Sequence, residues 1–422
     1  MDRLFVTGGA RLTGSVRISG AKNSALKLMA ASLLAPGRSV LRNVPRILDC
    51  FTMGEVLEHL GAAVSWEEGG VVVDATHLSS VEAPYELVRR MRASIAVLGP
   101  LLARTSEARV AMPGGDNIGS RPIDLHLDGL RRMGAEIVAE HGFLVARADG
   151  LTGASITLDY PSVGATENLM MAAVTADGVT AIDNAAREPE IADLAAYLVA
   201  MGAGIRGAGS ATIEVVGVQE LRPADHTAIP DRIEAGTWAA AAVATRGDVV
   251  LDVARPDHLE LFLEKLAEGG AEIRMTDGGL RVRQAERARA ADFVTLPYPG
   301  LATDFQPILL AMLATANGTS IATENVFEGR FMYVDELRRM GADIRTEGHH
   351  AVIRGVEQLS AAPVRAMDIR AGAAMAIAAL TADGVSEIAD IDHVDRGYED
   401  FDAKLTALGA EVRRDPELVR LP

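Results

Sequence analysis

The chain has 422 residues, a formal net charge of −17, 49% hydrophobic and 23% charged residues, and one cysteine, Cys50. That length predicts two domains or more, and the composition is that of a globular rather than a disordered protein. The charge argues against nucleic acid as a general partner, and a lone cysteine excludes an internal disulfide and fits a reducing cytoplasm. The longest apolar runs, ALKLMAASLLA (25–35) and ILLAMLATA (308–316), are too short to span a bilayer, so no membrane segment is expected. The opening MDRLFVTGGARLTGS lacks a basic start followed by an apolar run, so no signal peptide is expected either.

Taken in chain order, the predicted elements repeat. A helix over 21–37 and a strand over 39–44 lead to a second helix ending in LEHLGAAV (57–64). The same ending returns as LRRMGAEI (130–137), LVAMGAGI (198–205), KLAEGGAEI (265–273), LRRMGADI (337–344) and LTALGAEV (405–412). The glycines at 61, 134, 202, 270, 341 and 409 are spaced by 73, 68, 68, 71 and 68 residues, which marks one supersecondary unit used six times. Here Gly ends the helix and Ala lets the next strand approach, a packing role without chemistry.

The third unit displays the plan most clearly. Strand 154–160 is followed by helix 165–178, closed by Gly178, and by strand 179–186. Helix 189–203 opens on Pro189, and strand 211–217 follows a glycine-rich bend, so the unit reads β-α-β-α-β-β. First helices over 304–318 and 370–384, with strands over 319–323 and 385–389, fit the same plan. The fold class is α/β. Propeller blades would be shorter and all strand. ISGAKN (18–23) and AIPDRIE (228–234) have the character of domain crossings, which favours two groups of three units. The expected division is 21–229 and 1–20 plus 230–422, with a ligand cleft between them.

Charged and polar residues interrupt this scaffold at loop-to-helix junctions. Lys22 and Asn23 open a helix in SGAKNSALKL (19–28), where backbone N–H groups attract anions. MPGGDNIGSRPIDLH (112–126) reads as a connection or a closing lid, with Asp116 at its tip and Arg121-Pro122 before the next helix. YPSVGATEN (160–168) is a weak phosphate-cradle signal. TDFQ (303–306) and DIRAG (368–372) put Asp304 and Arg370 at equivalent helix starts, and HVDRGY (393–398) puts Arg396 just past a strand. Each cation alone reads as a solvated surface residue. Together, Lys22, Arg121, Arg370 and Arg396 at junctions of an acidic protein point to small, multiply charged ligands such as phosphates or carboxylates. His126 and His349-His350 lack metal-ligand spacing, so no metal is expected, and no P-loop or GxGxxG stands at a strand–helix junction.

At these residues the chain resembles the UDP-N-acetylglucosamine 1-carboxyvinyltransferases, a family of enolpyruvyl transferases that opens peptidoglycan synthesis. SGAKN (19–23), RASIAVLGPL (92–101), PGGDNIGSRPIDLH (113–126), SVGAT (162–166), NAAREPEI (184–191), PDRIEAGT (230–237), TDFQ (303–306), ENVFEGRF (324–331), DIRAG (368–372) and DRGYE (395–399) follow its pattern in order. The resemblance implies two inside-out α/β barrel-like domains of three repeats each. It implies phosphoenolpyruvate and UDP-N-acetylglucosamine as substrates, and no cofactor, metal, nucleic acid or membrane partner. On that reading Lys22, Arg121 and Arg396 hold phosphoenolpyruvate with Arg370 nearby. Asn23, Asp304 and Val326 face the amino sugar, with Asp304 the expected base. Arg92, Arg121, Pro122, Ile123, Asp124, Leu125, Ser162, Val163 and Gly164 line the nucleotide side. Asp116 takes the place of the proton donor.

Two positions depart from the common family pattern. Most members carry cysteine where this chain has Asp116. A carboxylic acid whose pKa is raised in a closed site still donates a proton, but it is not alkylated as a thiolate is, so insensitivity to the epoxide fosfomycin is expected. Many members carry lysine where this chain has Tyr160, which leaves the uracil or ribose contact open. Competing readings are an enolpyruvyl transferase acting on another acceptor, such as UMP or shikimate 3-phosphate, and a binding paralog without turnover. The PGGDNIGSRP segment favours the UDP-sugar type over shikimate 3-phosphate, and retention of Lys22, Asp116, Asp304 and Arg396 argues against a dead paralog.

Overall fold

In the computed structural model, which describes residues 2–112 and 123–415, the six Gly-Ala phrases are six copies of one helix ending. Gly61, Gly134, Gly202, Gly270, Gly341 and Gly409 all have φ between +90° and +108°. The amide of each following alanine donates to the carbonyl five residues back, at Leu57, Leu130, Leu198, Leu266, Leu337 and Leu405, over 3.0–3.1 Å. This is the Schellman pairing, in which a left-handed residue turns the chain off the helix and the next amide satisfies an orphan carbonyl. The alanines are buried, and the leucines they bond to are core residues. The repeat thus has a backbone cause.

Each repeat builds a four-stranded sheet with one order. In the third repeat, Ser155–Thr157 pairs in parallel with Val179–Asp183, which pairs antiparallel with Thr212–Val216, and Gly204–Arg206 forms the far edge. The helix between the parallel strands is the crossover that such a pair requires. Three strands enter this plan out of chain order. Asp225–Thr227 supplies the first strand of the first repeat, beside Arg38–Arg42. Thr13–Arg17 does the same for the fourth, beside Asp248–Asp252. Arg3–Thr7 lies between Val385–Ala389 and Glu411–Asp415 in the sixth. The β-α-β-α-β-β plan therefore holds in space but not strictly along the chain.

Among the described residues, 2–19 with 230–415 form one compact unit, and 20–112 with 123–229 form another. Each has its own apolar core. We number the six crossover helices α1 Lys22–Ala31, α2 Leu98–Thr105, α3 Val163–Ala173, α4 Arg232–Ala244, α5 Gln306–Leu313 and α6 Ile369–Leu380. Most are buried along nearly their whole length, so they are largely apolar on every face, and the few charged or polar residues they carry stand out. All four helices predicted with glycine terminators end sooner than those glycines, α1 passing through the turn Ser32–Leu34 before Gly37. After α3, α5 and α6 the chain peels away so that Asp177, Asn317 and Ala382–Asp383 pair in parallel with Thr152, Arg289 and Leu359–Ser360. Gly178, Gly318 and Gly384, all at positive φ, then turn it into the next strand. Among the described residues no helix is long and apolar enough to cross a membrane.

Candidate active site

Eight of the thirteen singled-out residues that can be described, Lys22, Asn23, Arg92, Ser162, Val163, Gly164, Asp304 and Arg370, lie at or beside the start of a crossover helix. In the unit built from 20–229, Lys22 is the first residue of α1, capped by Ala21, which offers no side-chain acceptor. The Lys22 ammonium lies 2.7 Å from Asp49 Oδ2, and both side chains are almost fully buried. Two residues on, Ser24 Oγ donates to Asp193, whose other oxygen lies 2.7 Å from His226 Nε2. Asn23 is half-buried beside Lys22.

Arg92 opens the short turn Arg92–Val97 that leads into α2. Asn168, fully buried on α3, organises the surroundings. Its Oδ1 accepts from the Gly99 amide at 2.6 Å, while its Nδ2 donates to the Ile95 carbonyl at 2.9 Å and to His126 Nδ1 at 3.1 Å. That network assigns the His126 proton to Nε2. Burial, reinforced by the charges of Arg92 and Lys27, pushes the His126 pKa down to about 4, so the ring is neutral at physiological pH. Gly164 makes room for it: a Cβ there would sit 3.1–3.2 Å from the imidazole. Ser162 Oγ caps α3 by accepting from the Ala165 amide at 3.3 Å, which places Ser162, Val163 and Gly164 together at its start. Ile123 is the cap position of helix Asp124–Arg132, with Asp124 exposed and Leu125 half-buried. Asp116, Arg121 and Pro122 lie outside the described residues.

In the other unit, Asp304 sits in the turn that opens α5, and Arg370 in the first turn of α6. The α6 cap is Asp368, whose Oδ1 accepts from the amides of Arg370 and Ala371 at 2.8 and 2.9 Å. Arg370 Nε donates to Asp304 Oδ2 at 3.1 Å, and Arg330 Nη1 lies 2.9 Å from Asp304 Oδ1. Both guanidiniums are buried, whereas the Asp304 side chain is 26% exposed. Burial alone would raise its pKa. The two arginine charges and their hydrogen bonds outweigh burial and hold the carboxyl well below the usual range. As it stands, the expected base is a weak one. Among the described residues, Arg370 Nη1 and Arg330 Nε are buried without a hydrogen-bond partner.

Arg396 is half-buried at the end of helix Asp392–Asp395. Gly397, the next residue, packs closely against this cluster: a Cβ there would collide with Ile369 Cγ2 at 2.5 Å and lie 3.7 Å from Arg370 Nη1. Tyr398 stands beneath Arg370, ring centre 5.2 Å from the guanidinium, and pairs with Thr237 at 2.8 Å. Val326 is held by Glu324, whose Oε1 accepts from the amides of Val326 and Phe327 at 2.8 and 3.0 Å. The second Glu324 oxygen accepts from Thr303 at 2.9 Å, and Thr303 in turn accepts from Arg330 at 3.0 Å. Glu324 and Arg330 had been quoted in ENVFEGRF without a role. No spacing or periodicity in the sequence ties either residue to its partner, Thr303 for Glu324 and Asp304 for Arg330. Among the described residues, no three His, Cys, Asp or Glu side chains converge as metal ligands would.

The EPSP synthase (3-phosphoshikimate 1-carboxyvinyltransferase) family pattern matches residues 6–405. UDP-N-acetylglucosamine 1-carboxyvinyltransferase of Corynebacterium jeikeium (strain K411) is 56% identical over 415 residues, covering 98% of this chain and 99% of that protein. The protein of the same name from Mycobacterium tuberculosis (strain CDC 1551 / Oshkosh) is 53% identical over 413 residues, with the same coverage. Among solved structures, the enolpyruvyl transferase NikO from Streptomyces tendae superposes with a TM-score of 0.89 at 27% identity, covering 98% of this chain and 99% of its own. An EPSP synthase from Acinetobacter baumannii, 18% identical with a TM-score of 0.77 over 99% of this chain and all of its own, shares the fold. The chain belongs to the EPSP synthase family and, within it, to the UDP-N-acetylglucosamine 1-carboxyvinyltransferases.

Proposed function

We propose that the protein transfers the enolpyruvyl group of phosphoenolpyruvate to the 3′-hydroxyl of UDP-N-acetylglucosamine and releases phosphate, as the first committed step of peptidoglycan synthesis in the cytoplasm. The hydroxyl adds to C2 as a proton is delivered to C3. The adduct then loses a C3 proton and the phosphate, which restores the double bond. In this reading Lys22, Arg121 and Arg396 neutralise the phosphate, Arg330 and Arg370 take the carboxylate, and Asp116 delivers the proton. Asn23, Asp304 and Val326 meet the amino sugar, and Arg92 with the residues flanking it in space meets the nucleotide.

The observation that supports this most directly is the pair of buried guanidiniums on Asp304, with Arg370 Nη1 left over as a donor. A reactant carboxylate entering there competes with Asp304 for both arginines. Their charge is then shared, and Asp304 regains the basicity that the pair suppresses. The base is weak before the second reactant arrives and competent after it. The test is phosphate release from phosphoenolpyruvate with UDP-N-acetylglucosamine, UMP or shikimate 3-phosphate as acceptor. Turnover with the first alone supports the proposal; turnover with either of the others replaces it. Fosfomycin should leave activity unchanged on prolonged incubation and should inactivate D116C progressively, because only the substituted protein offers a thiolate.

A further inference from the structure

Helix α3 carries three consecutive polar residues inside the core: Thr166, Glu167 and Asn168, each no more than 1% exposed. A purely structural helix would be apolar there. Thr166 accepts from the Ala186 amide at 3.0 Å, and Asn168 serves Gly99, Ile95 and His126. Glu167 differs, because among the described residues no backbone amide or neutral side chain donates to its oxygens. Its partner is the Lys27 ammonium on α1, 3.1 Å from Oε2 and nearly as enclosed. Lys27 also donates to the Asn23 carbonyl, one turn back on its own helix, at 3.1 Å.

A buried ion pair is a poor source of stability, since well-packed apolar residues usually do as well or better. Its geometry offers another account. One end grips the turn that holds Asn23; the other stands one turn below Ser162, Val163 and Gly164. Lys22 is tied separately, to Asp49 at 2.7 Å. We propose that the Lys27–Glu167 pair positions the residues that receive the amino-sugar nucleotide, by fixing the first turn of α1 against the first turn of α3. This rests on the function proposed above. It makes the pair a positioning element for one reactant, while Lys22 has an anchor of its own in Asp49.

The experiment compares wild type, E167Q, K27M and K27M/E167M by phosphate release and by thermal unfolding. E167Q keeps the shape and removes the charge. It should raise KM for UDP-N-acetylglucosamine about tenfold and leave KM for phosphoenolpyruvate within twofold. K27M/E167M removes the unpaired charge that either single change leaves, so it should regain wild-type thermal stability while its nucleotide KM stays raised. Recovery of stability and KM together would make the pair mere packing and overturn the proposal, as would an E167Q with unaltered KM. A wild type that releases no phosphate would overturn the functional reading and the positioning role with it. An active wild type with an indifferent E167Q would overturn the positioning role alone.

Discussion

Two carboxylates, one in each unit, face cations and have their pKa values pushed in opposite directions. Glu167 meets a single ammonium; burial pushes its pKa up to about 7, Lys27 only partly offsets that, and Glu190 and Glu188 add to the rise. Asp304 meets two guanidiniums, remains a quarter exposed, and is held far below the ordinary range. Burial opposes ionisation at both sites. What separates them is the surrounding charge: two guanidiniums and their hydrogen bonds act on Asp304, one ammonium and two acidic neighbours on Glu167. Two planar guanidiniums bring two charges and fixed donor directions to Asp304, whereas the Lys27 ammonium, 3.1 Å from Oε2, brings one charge to Glu167. Proximity to a cation therefore does not by itself fix the charge of a buried acid.

The comparison breaks most visibly at Asp304. D304N keeps the shape and both guanidiniums but has no base to offer, so kcat should fall by about 10²–10⁴. KM for phosphoenolpyruvate should not rise, because the arginines are released for its carboxylate. A D304N protein retaining more than a tenth of wild-type kcat would remove the base role. R330M should do the reverse in binding, raising KM for phosphoenolpyruvate by tenfold or more.

Next in size is the pH dependence of stability. The Glu167 pKa is raised in the fold, so its contribution is fully present below about pH 4.5 and is lost as pH rises through 7. The change amounts to about 3 kcal/mol. His126 behaves oppositely: its pKa is depressed, so its contribution is present above about pH 6.5 and is lost as pH falls toward 4. Between those limits the two slopes oppose each other. E167Q removes one of them. Urea unfolding should show E167Q losing stability more steeply than wild type on acidification from pH 6.5 to 4.5. Parallel curves for the two proteins would mean that Glu167 does not titrate in this window.

Much of this architecture is legible in the sequence because it rests on backbone geometry. The six Gly-Ala phrases carry their own structural cause, and helix starts bearing Lys22, Arg92, Asp304 and Arg370 stand out against an apolar repeat. Arg330, Glu324 and Glu167 were hidden for another reason. Each acts through a partner distant along the chain: Asp304 for Arg330, Thr303 for Glu324, Lys27 for Glu167. No periodicity links such pairs. The three strands taken out of chain order were equally invisible, because a strand's propensity does not name the sheet that receives it. The early ends of α3, α5 and α6 likewise depend on bridges to segments that lie before each helix in the chain.

The repeat itself supplies the smallest and most controlled test. Gly61 and Gly341 hold the same place in the same motif, at φ of +104° and +90°. A Cβ at 341 meets nothing within 4 Å, whereas one at 61 would lie 2.5 Å from the Ser79 amide and 2.6 Å from its Oγ. That amide donates to the Leu60 carbonyl at 2.9 Å, so the segment cannot give way without losing the bond. G61A should therefore cost about 3 kcal/mol, from the left-handed backbone plus the displaced hydrogen bond. G341A should cost about 1 kcal/mol, the backbone contribution alone. Equal losses in urea unfolding would show that left-handed strain dominates at both helix ends, and that close approach of the following segment adds nothing.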